Sequence, residues 1–522
     1  MSAVNVTDVH VDEDGVRARA DGDVVLDVCF DGRRVWSFRL PRDGEQTGAG
    51  NRQLAWPTEL HRFLHGVTRF SLVDHLRKEV IFETELRLGT SPSSSERIAV
   101  VDEGGRPLGV DKSGRLAQMF DTRTSHDVAP LLDSIEEVLR ALAAAGVQAF
   151  AAYGTLLGAV RERRLIGHDS DADLAYVSAH STPVDVVLES FALQRKLADM
   201  GYATTRYSGA AFRVGVTEAD GSNRGLDVFA GFLRDGHLNL MGEVRAPFRR
   251  EWVLPLATCL LEGRVLPAPA NADAFLAATY GESWRVPDPA FKFSTPESTK
   301  RRLGGWFRGT RAKRTKWASI YRTHPFTPAA LEPSAFARWV VEREGVATPI
   351  VDIGCGRGGD AYWMAERGAA VIGLDYVVSA TREAARIAER RNLPVEFRFF
   401  NLAELRSVLG GSARIAHTPG PRIVTARHLV DTTGEIGRAN LWRAVEMMLR
   451  DGGRCYLEFL VRGGRGEDFV RANLLKPLPM QQVVSELVAR GAQVVHDEVQ
   501  QIRNESTRGS RRIGRLVVEW NR

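Results

Sequence analysis

Residues Thr348 to Gly359 read TPIVDIGCGRGG, an apolar run that passes directly into a glycine-rich loop. A continuous apolar run of this length suits a strand buried on both faces of a parallel sheet. A helix is predicted next, over Ala361 to Arg367, and a second apolar strand, Ala370 to Asp375, ends in an acid. Strand, glycine loop, helix and acid-tipped strand together form a loop for a nucleotide-like cofactor, with Asp375 placed to meet ribose hydroxyls. The loop spacing is Asp-Ile-Gly-Cys-Gly-x-Gly rather than Gly-x-Gly-x-x-Gly, which argues against a nicotinamide cofactor. After Pro333 the chain keeps alternating strand-like and helix-like segments, as a doubly wound sheet requires.

The remainder cannot belong to the same core. A chain of 522 residues is too long for one hydrophobic interior, so several domains are expected. Residues 1–118 alternate apolar and polar positions in short runs, such as Val35-Trp36-Ser37-Phe38, punctuated by Asp-Gly pairs at Asp14, Asp21, Asp31 and Asp43. That pattern predicts antiparallel strands in a small β-sandwich, and no chemical constellation appears in it. A helix follows, with Leu131, Leu132, Ile135, Val138, Leu139 and Leu142 at helical spacing and Gly146 at its end. The expected division is 1–118, 119–299, a basic linker at 300–335, and 336–522.

Within the second segment, Phe150 to Val177 reads FAAYGTLLGAVRERRLIGHDSDADLAYV. A strand turns at Gly154-Thr155 straight into a short helix, a geometry that lets backbone approach a phosphate. Asp169, Asp171 and Asp173 then alternate into a second strand, where alternate side chains share a face. Three such carboxylates can converge on one hard cation such as Mg²⁺, which takes carboxylates together with substrate phosphate oxygens. Asp227 sits in an apolar strand, Gly225 to Phe229, where an unpartnered acid is costly to bury.

The segment GTLLGAVR followed by HDSDADLAY resembles the LicD family, which includes the fukutin-related proteins of the polymerase-β-like nucleotidyltransferase superfamily. Tyr280-Gly281-Glu282-Ser283-Trp284 is similar to a downstream family element, and the resemblance covers roughly residues 120–300. His168 stands where the family usually has Trp, and Ser170 replaces one acid of the run. The resemblance implies a nucleotidyltransferase-fold mixed sheet with helices. It also implies Mg²⁺-dependent transfer of a phosphorylated alcohol from a CDP-linked donor to a glycan hydroxyl. By that resemblance Asp171 and Asp173 hold the metal and Asp227 is the third acid or a base. Gly154 and Thr155 would then cradle donor phosphate, and Arg161 would neutralise it. Residues 336–522 resemble the class I S-adenosylmethionine methyltransferases, with a Rossmann-like fold. That likeness implies that Asp352, Gly354, Gly356 and Gly358 line the cofactor's methionine and ribose end, that Asp375 holds the ribose, and that Asn401-Leu402 lies near adenine. Arg427, His428 and Asp431, around the fourth strand, are candidates for binding an acceptor or taking its proton.

The basic residues are uneven: Lys300 to Arg322 carries nine Lys or Arg and no acid, interleaved with Trp306, Phe307, Trp317 and Tyr321. Such a stretch suits a solvated linker or peripheral contact with an anionic membrane, and no nucleic-acid-binding motif accompanies it. Four scattered cysteines without paired spacing, no apolar leader and no spanning segment fit a cytoplasmic protein, at most peripheral at the inner face of the membrane. The expected function is bifunctional tailoring of a cell-surface glycan or teichoic-acid-like polymer, on a glycan or lipid-linked glycan acceptor. The alternatives are a nucleotidyltransferase and methyltransferase acting on a small molecule, and a non-catalytic scaffold with relic ligand sites.

Overall fold

In the computed structural model the described residues are 4–47, 50–89, 96–112, 114–123, 125–217, 223–241, 243–307, 314–324, 326–465, 475–504 and 509–520. They form two compact units divided after residue 300, with residues 207–209 grouped with the later unit.

The first unit opens with the expected β-sandwich. One antiparallel sheet runs Val6–Asp12, Gly15–Ala20, Arg52–Ala55, Glu45–Gln46; the other runs Arg33–Arg39, Val25–Phe30, Gly66–Asp74, Val80–Leu88. Val16, Ala18 and Leu54 from the first sheet share a core with Leu26, Val28, Phe70 and Leu72 from the second. The Asp31-Gly32 pair turns the hairpin between Val25–Phe30 and Arg33–Arg39, with φ of 50° and 79°. Both values lie in the left-handed region that a two-residue hairpin turn demands. A second, two-stranded hairpin, Gly109–Val110 with Leu116–Ala117, leads out of the sandwich.

The same unit continues into a mixed sheet, in the order Ala149–Ala151, Asp173–Val177, Asn223–Arg234, Ala211–Thr217, Ala203–Ser208. Asp173–Val177 pairs antiparallel with the first of these and parallel with Asn223–Arg234, so each carries its acids to a fixed height in the sheet. Helices Ser125–Ala144, Tyr153–Arg161 and Pro183–Asp199 accompany the sheet. The sandwich is bolted to this part through charges. The Arg39 guanidinium donates to Asp288 at 2.7 Å, and Lys292 donates to Asp43 at 2.7 Å. Arg42 also donates to the Ala290 carbonyl.

The second unit holds a seven-stranded sheet in the spatial order Val395–Phe399, Val371–Asp375, Ile350–Ile353, Arg422–Arg427, Gly453–Arg465, Gly509–Glu519, Gln493–Asn504. The first five are parallel and Gly509–Glu519 runs against both of its neighbours. Helices cover both faces, as a parallel sheet needs. Val351 and Ile353 pack into a core with Leu441, Trp442 and Met448, whereas Ile350 packs on the opposite face with Phe336, Val340 and Met364.

The stretch expected as a basic linker contains helical segments. It folds into helices Glu297–Phe307 and Arg314–Thr323, while residues 308–313 lie outside the described residues. Leu303 and Phe307 are buried, and Trp317 and Tyr321, one turn apart, stack at 6.0 Å. Hydrophobic spacing at i and i+4 within a charge-rich run carried that helical signal.

Arg39 joins the sandwich to the mixed sheet while also pairing with Asp23. Arg39→Ala should lower the unfolding free energy of the first unit by about 1–2 kcal/mol, because Asp288 loses its partner in a half-buried setting. Chemical denaturation followed by tryptophan fluorescence checks this.

Candidate functional site

The carboxylates of the first unit are placed by strand register. Asp173 lies directly opposite Asp227 in the parallel pair, and Asp227 lies directly opposite Arg213 in the neighbouring antiparallel pair. Three adjacent strands thus present acid, acid and arginine in one row. Among the described residues, Asp171, Asp173 and Asp227 bring carboxylate oxygens within 4.8 Å of one another. Asp173 and Asp227 are buried, and the Asp171 Oδ1 is buried with no hydrogen-bond partner. Burial, followed by the charge of Asp171, pushes the Asp173 carboxyl well above its usual range. A hard divalent cation suits this set: three oxygen ligands, one with an unused lone pair, and a strong penalty on leaving the charges unmatched.

Two expected participants hold different posts. Asp169 stands outside the trio: it faces the Lys112 ammonium, whose Nζ lies 3.5 and 3.4 Å from its two oxygens, and it accepts from the Ser170 N–H at 3.0 Å. Burial pushes its carboxyl up to about 6, against the pull of Lys112. Thr155 is turned inward, where its hydroxyl accepts from the Asp173 N–H at 2.9 Å. It therefore anchors the strand carrying the acids. At Gly154 a Cβ would stand 2.1 Å from Asp169 Oδ2, so the position has no room for a side chain. The preceding residue, Tyr153, opens the helix at a φ of 45°, a strained value for a side chain of that size. Arg161 pairs with Glu162 at 2.7 Å and lines the adjoining cavity.

Two residues with no expected role complete the site. Arg213 donates to both oxygens of Asp227, at 2.7 and 2.9 Å, and Gly225 leaves the space its side chain crosses. Lys112 comes from the sandwich side, on the turn between Gly109–Val110 and Leu116–Ala117. Strand pairing that far along the chain leaves no local trace, so neither residue carries a readable pattern. The Gly225-Leu226-Asp227 run, with a glycine facing a neighbouring strand, was the one available hint of the arginine.

In the second unit, the glycine loop follows the strand Ile350–Ile353 at the point where strand order reverses, facing Arg422–Arg427. Ligands bind at such switch points. Gly354, Gly356 and Gly358 have φ of 74°, 57° and 81°, in the left-handed region. Gly358 also has no room for a side chain, since a Cβ would stand 2.6 Å from Phe397. Asp375 accepts from the Gly356 N–H at 3.0 Å and the Val377 N–H at 2.8 Å, which ties the second strand to the loop. Burial raises its carboxyl to about 6. Asp352 accepts from the Thr425 hydroxyl at 2.9 Å across the switch point, and burial, then the charge of Asp360, raises it to about 7. The Tyr321 hydroxyl, from the basic helix, lies 3.1 Å from where a Gly356 Cβ would stand, and Arg357 donates to the Tyr321 carbonyl at 2.9 Å.

The remaining expected residues divide. Asn401 is buried with its side-chain oxygen accepting from Ala403 N–H at 3.0 Å, and the Leu402 carbonyl accepts from Asn440 at 2.7 Å. His428 Nδ1 lies 3.0 Å from Asp431 Oδ2, which also accepts from the Leu460 N–H at 2.9 Å. Asp431 is 1 % exposed, so it orients the imidazole from behind. Leu429, next in sequence to His428, packs against Gly354, which brings the pair beside the loop. Arg427 reaches Asp360 at 3.2 Å.

Residues 146–271 match the family model described as LicD/FKTN/FKRP, nucleotidyltransferase domain, and residues 350–435 match one described as a methyltransferase domain. Among solved structures, the chain is similar to a SAM-dependent methyltransferase from Anabaena variabilis, at 16 % identity over 41 % of this chain and 95 % of that one, TM-score 0.32. It is also similar to the Burkholderia thailandensis 1,6-didemethyltoxoflavin-N1-methyltransferase, at 16 % identity over 40 % and 87 %, TM-score 0.31. A third is the glycopeptide N-methyltransferase MtfA, at 19 % identity over 37 % and 100 %, TM-score 0.28. No curated protein matches the chain.

The raised Asp352 has a measurable consequence. A carboxyl held near 7 in the fold and near 4 when unfolded keeps its proton preferentially in the folded state, so its stabilisation is present at low pH and lost as pH rises toward 7. Asp352→Asn should therefore stabilise the unliganded second unit at pH 8 by on the order of a few kcal/mol, and much less at pH 5. Thermal melts of both proteins across that range measure the difference.

Proposed function

Because the chain joins a LicD/FKTN/FKRP-type nucleotidyltransferase domain to a methyltransferase domain, we propose that it is a bifunctional tailoring enzyme of a cell-surface glycan or teichoic-acid-like polymer. Its first activity transfers a phospho-alcohol from a CDP-linked donor to a glycan hydroxyl. The bond between the two donor phosphates breaks, a new ester bond forms to the acceptor oxygen, CMP leaves and the hydroxyl proton is released. The observation that carries this reading is the in-register row of Asp173, Asp227 and Arg213, with the orphaned Asp171 oxygen beside it. Mg²⁺ bound there would neutralise donor phosphate charge, which is most of what phosphoryl transfer asks of a protein. The protein's own share is positioning: Thr155 holds the strand that carries Asp173, and Arg213 holds Asp227.

The second activity moves a methyl group from S-adenosylmethionine to an oxygen or nitrogen of the same or a related acceptor. The sulfur–methyl bond breaks, S-adenosylhomocysteine leaves, and His428, oriented by Asp431, takes the acceptor's proton. Asp352 and Gly354 to Gly358 would line the cofactor's methionine and ribose end, and Asp375 would hold the ribose, a reading supported by the left-handed glycines and the Asp375 tie to the loop. Two activities on one chain raise the effective concentration of one product at the next site.

Placement at the inner face of the cell membrane, on a lipid-linked acceptor, is part of this proposal. Among the described residues no helix is long and apolar enough to cross a membrane. The exposed Arg301, Arg302, Lys316 and Arg322 are the attracting charges. Binding to vesicles containing anionic lipid should fall steeply between low and physiological salt; sedimentation that is unchanged by salt, or absent, removes this part.

The central test compares wild type with the Asp171→Asn/Asp173→Asn variant, given Mg²⁺, an acceptor glycan and a panel of CDP-alcohols, CTP and ATP. Wild type should release CMP from one CDP-alcohol, and the variant should be slower by at least a hundredfold. Release of pyrophosphate from a nucleoside triphosphate instead would assign nucleotidyl transfer to the first domain.

A further inference from the structure

The sandwich, which has no chemistry of its own to read in the sequence, reaches into the transferase site. A cavity of about 400 Å³ lies against Asp169, the acid outside the trio, and its wall is shared. From the mixed-sheet side come Gly154, His168, Asp169 and Trp284; from the sandwich come Leu76 and Lys112. His168 stands edge-on to the sandwich's His75 at 5.8 Å, so the two walls are in direct contact.

Lys112 is the charged centre of this junction. Its Nζ meets both Asp169 oxygens at 3.4 to 3.5 Å, and the negative charges of Asp169, Asp173 and Asp171 all act on it. These contacts are longer than well-made hydrogen bonds. An ammonium group has three donors, so they steer the group without saturating it. Gly154 lies alongside: the Asp169 carboxylate fills the place its Cβ would take, at 2.1 Å, and Lys112 Nζ stands 4.0 Å from it. A cation in the wall of a cavity, held by Asp169 and within the field of the carboxylates fit for a divalent ion, is an arrangement for an anionic phosphate group.

We infer that Lys112 of the β-sandwich is a phosphate-binding residue of the transferase site, seating the diphosphate of a nucleoside diphosphate-linked donor at the mouth of this shared cavity. This rests on the phosphotransferase reading above, and makes the sandwich a working part of the catalytic unit rather than an appended module. Lys112 then contributes to donor binding across the domain junction, and Asp169 is its positioning residue.

Isothermal titration of the full-length protein with CDP and, separately, with inorganic pyrophosphate, both with Ca²⁺ present, tests the assignment in wild type, Lys112→Ala and Lys112→Arg. Lys112 is 39 % exposed on its side chain, and melting curves of the variants verify folding. The expected result is at least a tenfold loss of affinity for both ligands in Lys112→Ala, partial recovery in Lys112→Arg, and a matching rise in donor KM exceeding any fall in kcat. Unchanged CDP affinity in a folded Lys112→Ala protein overturns the role of Lys112 and leaves the phosphotransferase reading standing. Pyrophosphate binding that needs Lys112 without any CDP binding keeps the phosphate site and overturns the CDP-linked donor. Binding of neither ligand by wild type overturns both.

Discussion

The first unit depends on one act of register: Asp173 pairs across from Asp227 in a parallel ladder. Parallel strands leave no freedom in which residues face one another, and a slip by one position would send an acid to the opposite face. The pairing places two buried carboxylates side by side with a third close by, an arrangement that repels itself. Everything around it answers that repulsion. Arg213 comes in from the next strand along, Thr155 fixes the backbone of Asp173, and Lys112 arrives from another domain to face Asp169.

The second unit solves a related problem with less charge. Asp352 and Asp375 are buried acids raised by desolvation, each tied to hydrogen-bond donors. The strand order reverses between Ile350–Ile353 and Arg422–Arg427, and the glycine loop follows the first of these strands. The helix Arg314–Thr323 lays Tyr321 against this loop. A segment that composition alone presents as a solvated tether is therefore partly structural.

Much of this was open to reading from the sequence, for definite reasons. The TPIVDIGCGRGG and HDSDADLAY segments are local: strand, turn and acid follow one another, so their order on the chain is their order in space. The sandwich was legible from alternation and Asp-Gly turns. His428 and Asp431, three residues apart at a strand end, meet as a nearby pair readily does. What stayed hidden depends on distant pairing. Arg213 has meaning through its partner strand alone, and Lys112 lies in an ordinary turn of a domain without motifs. Thr155 was assigned by its place in a glycine turn, but its side chain follows the strand it must anchor. Asp169 has the right alternation for the acidic trio, yet it faces Lys112 from another part of the chain, a partner that alternation does not reveal.

The missing side chain at Gly154 has a consequence for how such a protein can change over generations. Any larger residue there must evict the Asp169 carboxylate, and Asp169 is what steers Lys112. Three positions drawn from two domains are therefore bound into one inheritable unit. Drift at one is tolerated when the others move with it, so the sandwich and the mixed sheet are expected to travel together through descent rather than be exchanged as separate parts.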